Sequence, residues 1–275
     1  SIEKKFSDRF SINLTSFGAP TYRANNSPNT QEVYDLMGKN YNAYWGWQDG
    51  EKRNSRIRKS HEPVFQLQFY NKLGKTSNWN NAFSDQFGSD GRSRLEWFKA
   101  SDPNPTYSRK LPSYWVDRFL GSTSEGGVNI TDLEQMEIDN VEATFKQNSQ
   151  INWDELYNAN RNSKDGAAYT MVEDVNKDRT FNWVSHFDTR LDDNWKLNLN
   201  FTYQNVVSDN FRRVKDLLGA DYANNLNAFG FNQPYDLDNP ETKVYEGDRT
   251  QFSYDLLRQT YQFNASTEVD LPRWN

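Results

Sequence analysis

The 275 residues include 9 tryptophans, 15 tyrosines and 18 phenylalanines, yet only 35% of the chain is hydrophobic and the formal net charge is -6. That mild acidity gives no support to nucleic-acid binding, and it is too small to hold the chain disordered by self-repulsion. No run approaches the ~18 apolar residues of a membrane-crossing helix, whereas half-apolar strands joined by long polar loops fit both the aromatic richness and the low hydropathy.

In chain order, Ser7-Asp8-Arg9 reads as a turn. The first predicted strand runs from Phe10 to Gly18, with Phe10, Ile12 and Leu14 on one face. A long loop is expected to Glu62, carrying a short helix that Asn29-Thr30-Gln31-Glu32 opens and Gly38 closes. The second strand is Val64 to Tyr70, followed by a turn from Lys72 to Asn78 and a third strand, Trp79 to Phe87. That third strand fits poorly, because Asp85 shares a face with Trp79, Phe83 and Phe87; a bulge near Asn80-Asn81 is one expected remedy, and a non-lipid environment is the other. No convincing long strand follows until Thr180, although Asp132 to Glu142 has helical composition and Asn152-Trp153-Asp154-Glu155 predicts a helix to about Arg161. The fourth strand is Thr180 to Leu191, and Asp192-Asp193-Asn194 is a tight turn. After the fifth strand, Arg212 to Leu218 reads as a short helix ended by Gly219, and a sixth strand spans about Arg249 to Asp270.

The fifth strand holds the clearest signal. Leu197, Leu199, Phe201 and Tyr203 alternate without a break against Lys196, Asn198, Asn200, Thr202 and Gln204, a period of two that puts one apolar and one polar face on a ribbon. Short turns place Phe10, Trp79, Trp195 and Trp274 where strands begin, as aromatic girdles do at a membrane–water boundary. The competing explanation is that large rings cap the layers of an ordinary core. The predicted fold is therefore all-β: about six strands of a larger antiparallel transmembrane barrel, with long extracellular loops carrying short helices. Leu197, Leu199, Phe201 and Tyr203 are expected to face lipid, and the five polar residues between and beside them to face the lumen. Six strands do not close a barrel, so further strands are expected outside this stretch.

Three loop blocks add to this reading. They are Ser27-Pro28-Asn29-Thr30-Gln31-Glu32-Val33-Tyr34-Asp35-Leu36, Tyr41 through Arg56, and Asp102 through Tyr114; Ile151-Asn152-Trp153 with Leu156-Tyr157 and Asn160-Arg161 accompanies them. Together they resemble the barrel portion of TonB-dependent outer-membrane receptors of the Bacteroidota (SusC-like) type, over most of residues 10 to 215. The resemblance implies a barrel of about 22 strands, an internal plug, energy delivered through TonB and its inner-membrane complex, and, for SusC-like members, a surface lipoprotein of the SusD-like kind. Neither plug nor TonB box is present in this stretch.

Tyr44, Trp45, Trp47, Tyr107, Arg109 and Tyr114 lie in the predicted loops, where they either stack on a captured ligand or pack the loops against one another. Asp174, Asn176 and Asp178 imitate the start of a calcium loop, but Arg179 stands where the turn glycine belongs and no Glu follows at the right distance, so no metal or other cofactor is expected. No catalytic motif is apparent, and no enzyme is predicted. The expected function is import of a nutrient ligand (glycan, peptide or metal chelate) across a bacterial outer membrane. The rivals are a transport-inactive barrel that scaffolds an envelope complex and a soluble carbohydrate-binding β-sandwich.

Overall fold

The computed structural model describes residues 1–121, 130–227, 230, 232–240 and 243–270; Trp274 lies outside them. The chain opens with β1 (Ile2–Ser7) and β2 (Phe10–Phe17), joined by a tight turn in which the Arg9 amide donates to Ser7 Oγ at 3.2 Å. β1 is concealed in the sequence because Lys4 and Lys5 break its alternation. The expected long loop from Gly18 to Glu62 instead contains β3 (Thr21–Ala24), α1 (Gln31–Met37), a β4 (Trp45–Gln48) and β5 (Glu51–Asn54) hairpin, and β6 (Ile57–His61). Thr30 caps α1 and Gly38 ends it at φ 83°, but Glu32 completes no capping box; it accepts from the Ser113 amide and hydroxyl at 2.8 and 2.7 Å.

Next come β7 (Val64–Lys72) and β8 (Ser77–Trp97), then a 3-10 turn at Ser108–Lys110, α2 (Pro112–Gly121), α3 (Asp132–Gln147), α4 (Trp153–Arg161), β9 (Tyr169–Arg190) and β10 (Trp195–Asp216). Four two-residue strands follow, β11 (Ala223–Asn224), β12 (Leu226–Asn227), β13 (Gln233–Pro234) and β14 (Lys243–Val244), and β15 (Arg249–Val269) is the last. β8, β9 and β10 each run about ten residues beyond the predicted limits. The helix expected from Arg212 is strand as far as Asp216. Cross-strand charge pairing explains the extension: Arg92, Asp174 and Arg212 stand in one row, as do Ser93, Glu173 and Arg213. Arg212 binds Asp174 at 2.5 and 3.1 Å, and Arg213 binds Glu173 at 2.6 and 3.0 Å. Arg212 and Arg213 are each neutralised by a carboxylate on the next strand, and Arg92 by Asp90 on its own strand at 3.1 Å, so the run tolerates the ladder despite its polarity.

The long strands form a meander in the order β1-β2-β7-β8-β9-β10-β15, antiparallel throughout, with β6 pairing β8 above β7 and β3 pairing β6. Its short turns all fall at one end and its long connections at the other. Gly88, at φ 157°, lies where β8 passes from β7 to β6; a Cβ there would stand 2.0 Å from the His61 carbonyl oxygen. That irregularity is at Gly88 and not near Asn80-Asn81, since β8 pairs without interruption from Asn78 to Gln86 with both neighbours.

Burial is distributed unevenly. Buried hydrophobic clusters gather around Trp153, Leu156, Met171 and Leu218, around Val33, Tyr41 and Phe145, and around Val214, Leu217 and Val244. All three belong to the end that carries the long connections. Among the described residues, no apolar side chain within 64–87, 179–207 or 257–269 is buried.

Candidate functional site

Register alone sorts the lower part of the sheet into two faces. Leu67, Phe83, Trp183, Tyr203 and Tyr261 form one row across five strands, and Asn81, Ser185, Phe201 and Phe263 lie in the next row on the same face. Their rings make a ladder: Phe69 to Phe83 at 6.0 Å, Phe83 to Trp183 at 5.9 Å, Trp183 to Phe201 at 5.2 Å and Tyr203 to Tyr261 at 5.0 Å. Such pairs are worth about 0.5–1.5 kcal/mol each beyond burial. Yet the face is uncovered, with Tyr261 and Phe263 each 66% exposed. Leu197, Leu199, Phe201 and Tyr203 all belong to it, and no second sheet packs on them; the other sheets among the described residues are two-stranded.

The opposite face is a hydrogen-bonded polar surface. Asn200 Oδ1 lies 2.6 Å from His186 Nδ1, Asn182 bonds Ser84 at 3.1 Å and Gln204 at 2.9 Å, Arg258 donates to Gln204 at 3.0 Å, and Lys196 reaches Glu268 at 3.1 Å. Lys196, Asn198, Asn200, Thr202 and Gln204 all lie on this side.

Phe10 and Trp195 are the first residues of β2 and β10, and Trp79 is the third of β8, all three beside the short turns. The indole N–H of Trp79 donates to Ser185 Oγ at 2.9 Å, and that of Trp195 to Thr267 Oγ1. At the other edge of the ring face, Phe65 stacks on Phe87 at 5.9 Å. Asp85 is on the ring face, near this edge, where Arg179 grips it at 2.8 and 3.1 Å. The poor fit of this strand is thus resolved by an ion pair, without any slip of register.

Above that edge the same face is covered. Leu95, Tyr169 and Met171 continue it, and α4 lies on them through Trp153, which is 0% exposed, and Leu156. Asn160 locks α4 in place: its side chain accepts from the Ala168 and Tyr169 amides, both at 2.9 Å, and donates to the Tyr169 and Leu217 carbonyls, both at 2.8 Å. The β4–β5 hairpin leans on the same helix through Arg53, whose guanidinium covers the Trp153 ring at 4.3 Å and binds Tyr157 at 3.1 Å and Asp216 at 2.6 Å. Gly46 is required here, since a Cβ would fall 1.8 Å from the Ile151 carbonyl oxygen. Neither Arg53 nor Asn160 was identifiable as a hub in the sequence, because their partners lie on distant strands.

The six candidate loop residues divide into two groups. Trp45 and Trp47 pack edge to face at 5.6 Å under Lys52, and Tyr44 lies under Arg56 at 5.2 Å. Tyr114 packs on Trp115 at 5.8 Å, and Tyr107 supplies its carbonyl to the 3-10 turn. Of the six, only Arg109 lines the cavity of about 520 Å³ between the sheet end, α2, α3 and α4, together with Lys110, Trp115, Glu137, Glu155 and Tyr169. Desolvation lowers the pKa of Lys110, opposed by Asp102 and Glu155, and its ammonium donates to the Asp102 carbonyl at 2.7 Å.

The Asp174–Asn176–Asp178 run is extended strand and not a loop. Asp174 is held by Arg212, and Asp178 accepts from Ser208 Oγ at 2.5 Å. No group of three or more potential metal ligands converges among the described residues. Comparisons with protein-family models, curated proteins and solved structures return no match.

Proposed function

We propose that this chain is a stretch of the wall of an outer-membrane β-barrel, and that the barrel is a TonB-dependent importer of a nutrient ligand. One observation carries the reading: the exposed ring face lies in the part of the sheet that lacks a core, while the buried hydrophobic clusters among the described residues sit at the end that carries the long connections. A protein dissolved in water has no reason to leave a ladder of rings bare and build its core elsewhere. Hydrocarbon against the rings and water against the asparagine-rich face satisfy both surfaces. Trp79 to Phe87 spans roughly 26 Å along the strand at about 3.3 Å per residue, about 20 Å of depth at a tilt of about 40°, which is most of an outward apolar band about 25 Å tall. The free edges of β1 and β15 are completed in this reading by further strands of the same barrel. Import, the plug and TonB enter through the resemblance of the loop blocks, and the cavity beside Arg109 is a place for loop contacts with a ligand.

Single-tryptophan variants of the full-length protein in vesicles with brominated acyl chains test the carrying observation. Trp183 and Trp79 should be quenched and Trp153 should not; equal quenching of all three, or none, refutes it. The engagement of Tyr44, Trp45, Trp47 and Arg53 in loop packing favours a second reading, a scaffold barrel that no longer imports. Co-purification of envelope partners without a ligand-uptake phenotype distinguishes it.

A further inference from the structure

The upper part of the polar face carries a row of arginines. Arg23 on β3 stands opposite Arg58 on β6, and Arg58 opposite Arg92 on β8; Arg92 faces Asp174 on β9, which in turn faces Arg212 on β10. Directly opposed residues of antiparallel strands share a face. Asn80 and Arg92 belong to one unbroken register with β9 and lie an even number of residues apart, so the row is on the face of Asn80, His186 and Asn200. Like charges directly opposite one another destabilise a strand pair, so arginines in succession call for anions between them.

The described residues supply only part of that neutralisation. Asp90 accepts from Arg58 Nε and Nη2 at 2.9 and 3.0 Å and from Arg92 Nη2 at 3.1 Å, so these two guanidinium groups converge on one carboxylate. Asp174 is taken by Arg212, and Glu96 by Arg94 at 2.6 Å. Glu62, just past the end of β6, acts on Arg58 across space and forms no ion pair among the described residues. Arg23 is exposed and makes no hydrogen bond, ion pair or ring contact among the described residues. Arg92 stays 62% exposed with a single N–H engaged. Arg23, Arg58 and Arg92 thus share Asp90 alone, and the first and last of them keep unspent donors.

We infer that this arginine row is a contact point for an oxyanion-bearing ligand, one with two or more carboxylate or phosphate groups. The inference rests on the membrane reading above, in which this face lines the lumen, and deepens it by naming the ligand's chemistry. Guanidinium suits the task because its planar fork meets carboxylate or phosphate oxygens two at a time, whereas an ammonium is a point charge. Strand spacing puts the Arg23 and Arg92 backbones about 10 Å apart, a gap that two long side chains close around a small polyanion. A neutral ligand would leave the row as uncompensated as it stands. The row also lies just short of Leu95, where the sheet passes into the loop layer, so a ligand that has cleared the loops meets it before the amide-rich wall lower down.

The test titrates the full-length protein in detergent, at low salt, with tricarballylate, with inorganic pyrophosphate and with the uncharged triamide of tricarballylate, read by calorimetry. At least one anion should bind and the triamide should not; which anion binds separates carboxylate from phosphate recognition. Arg23→Gln and Arg92→Gln should each weaken that binding about tenfold, the scale of one hydrogen bond to a charged group. Neither change strands a charge, because Arg23 has no partner to lose and Asp90 keeps Arg58. Lys59→Gln, next to Arg58 on β6 but on the opposite face, should leave binding unchanged and so controls for net charge. Binding of neither anion, equal binding of the triamide, or undiminished binding by the Arg23→Gln/Arg92→Gln double variant overturns the inference. Protection of both arginines from phenylglyoxal in the ligand-free protein overturns it as well, since an acidic segment of the plug would then occupy the row. Bromolipid quenching of Trp183 in the same protein separates the two levels: if quenching is intact and anion binding absent, only the ligand assignment falls, whereas loss of quenching brings down the membrane reading.

Discussion

Replacing Phe201 by arginine separates a wall in hydrocarbon from a sheet in water. Phe201 lies six residues past Trp195 on β10, about 20 Å along the strand at roughly 3.4 Å per residue. On the membrane reading, with a tilt of about 40°, it stands roughly 15 Å above the level of that ring, near the middle of an apolar band about 25 Å tall. Arginine at such a depth costs about 2–4 kcal/mol, and loss of the ring contact with Trp183 at 5.2 Å adds about 0.5–1.5 kcal/mol. The folded-to-unfolded ratio should therefore fall about a hundredfold or more. Asn200→Arg, one residue away on the other face, loses the 2.6 Å bond to His186, about 0.5–1.5 kcal/mol, and keeps its side chain in water. The assay is urea titration of the full-length protein folded into vesicles, read by heat-modifiable migration on gels. If Phe201→Arg is no worse than Asn200→Arg, the face meets water and the reasoning fails; a soluble sheet predicts surface-sized effects within about 0.5 kcal/mol.

The other expectations concern the band's edge and the loop layer. Asp85→Asn and Arg179→Gln should each destabilise more than the double variant, because on the membrane reading each single change strands a charge at a low-dielectric edge; a cycle showing no measurable coupling, as exposed pairs often do, would place that edge in water. Trp153→Ala should cost about 3–5 kcal/mol and release the loops to protease while strand fragments stay protected, and simultaneous loss of both would show that they share one core. Gly46→Ala should displace the hairpin from α4, an overpacking cost of about 1–3 kcal/mol, measurable as faster cleavage between β4 and β5. Burial raises the pKa of Tyr41 above its ordinary 10.0, and its hydroxyl donates to the Ser149 carbonyl at 2.5 Å. Only the unfolded form ionises readily near that value, so the loop layer should keep this contribution below pH 10 and lose it progressively as pH rises further. Tyr41→Phe should flatten the alkaline arm of the stability profile, and an unchanged arm would refute the assignment.

The strands that could be read from the sequence are those whose two faces differ in polarity. From Leu197 to Gln204 each residue announces its side, because the wet face selects Asn, Thr and Gln and the other selects rings. Beyond Val207 the alternation disappears, although the ladder continues to Asp216. There Arg212 and Arg213 are stabilised by Asp174 and Glu173 on the neighbouring strand, partners 38 and 40 residues away that no local window contains. The helix at Asn152 was visible through its cap, whose side chain does accept from the Glu155 amide at 3.1 Å. That Trp153, the first residue of that helix, is the most deeply buried ring of the loop layer depends on Arg53 and Leu95 closing over it from elsewhere. The loop aromatics were legible as a class, but composition does not distinguish a ring that waits for a ligand from one already covered by Lys52 or Arg56.

The two parts of the sheet constrain each other. One face runs unbroken along β8 and β9, bare up to Asp85 and Arg179 and covered by α4 from Leu95 and Met171 onward. A bilayer cannot rise past that point without burying Arg213, Lys215 and Arg249. It cannot settle much lower without exposing the rings of Phe83, Phe181 and Tyr203 to water. On the membrane reading, the apolar band and the belt of charged residues above it thus fix the depth of the wall between them, and α4, tied to the sheet end by Asn160, keeps the loop layer above that depth. Moving the belt is therefore a sharper perturbation than weakening it. A charge inserted at Phe83 or Tyr203, next to the existing edge, should shift quenching of Trp183 by shallow and deep bromolipids while leaving Trp153 unquenched by either. A wall whose depth was set by the loops instead would show no such shift.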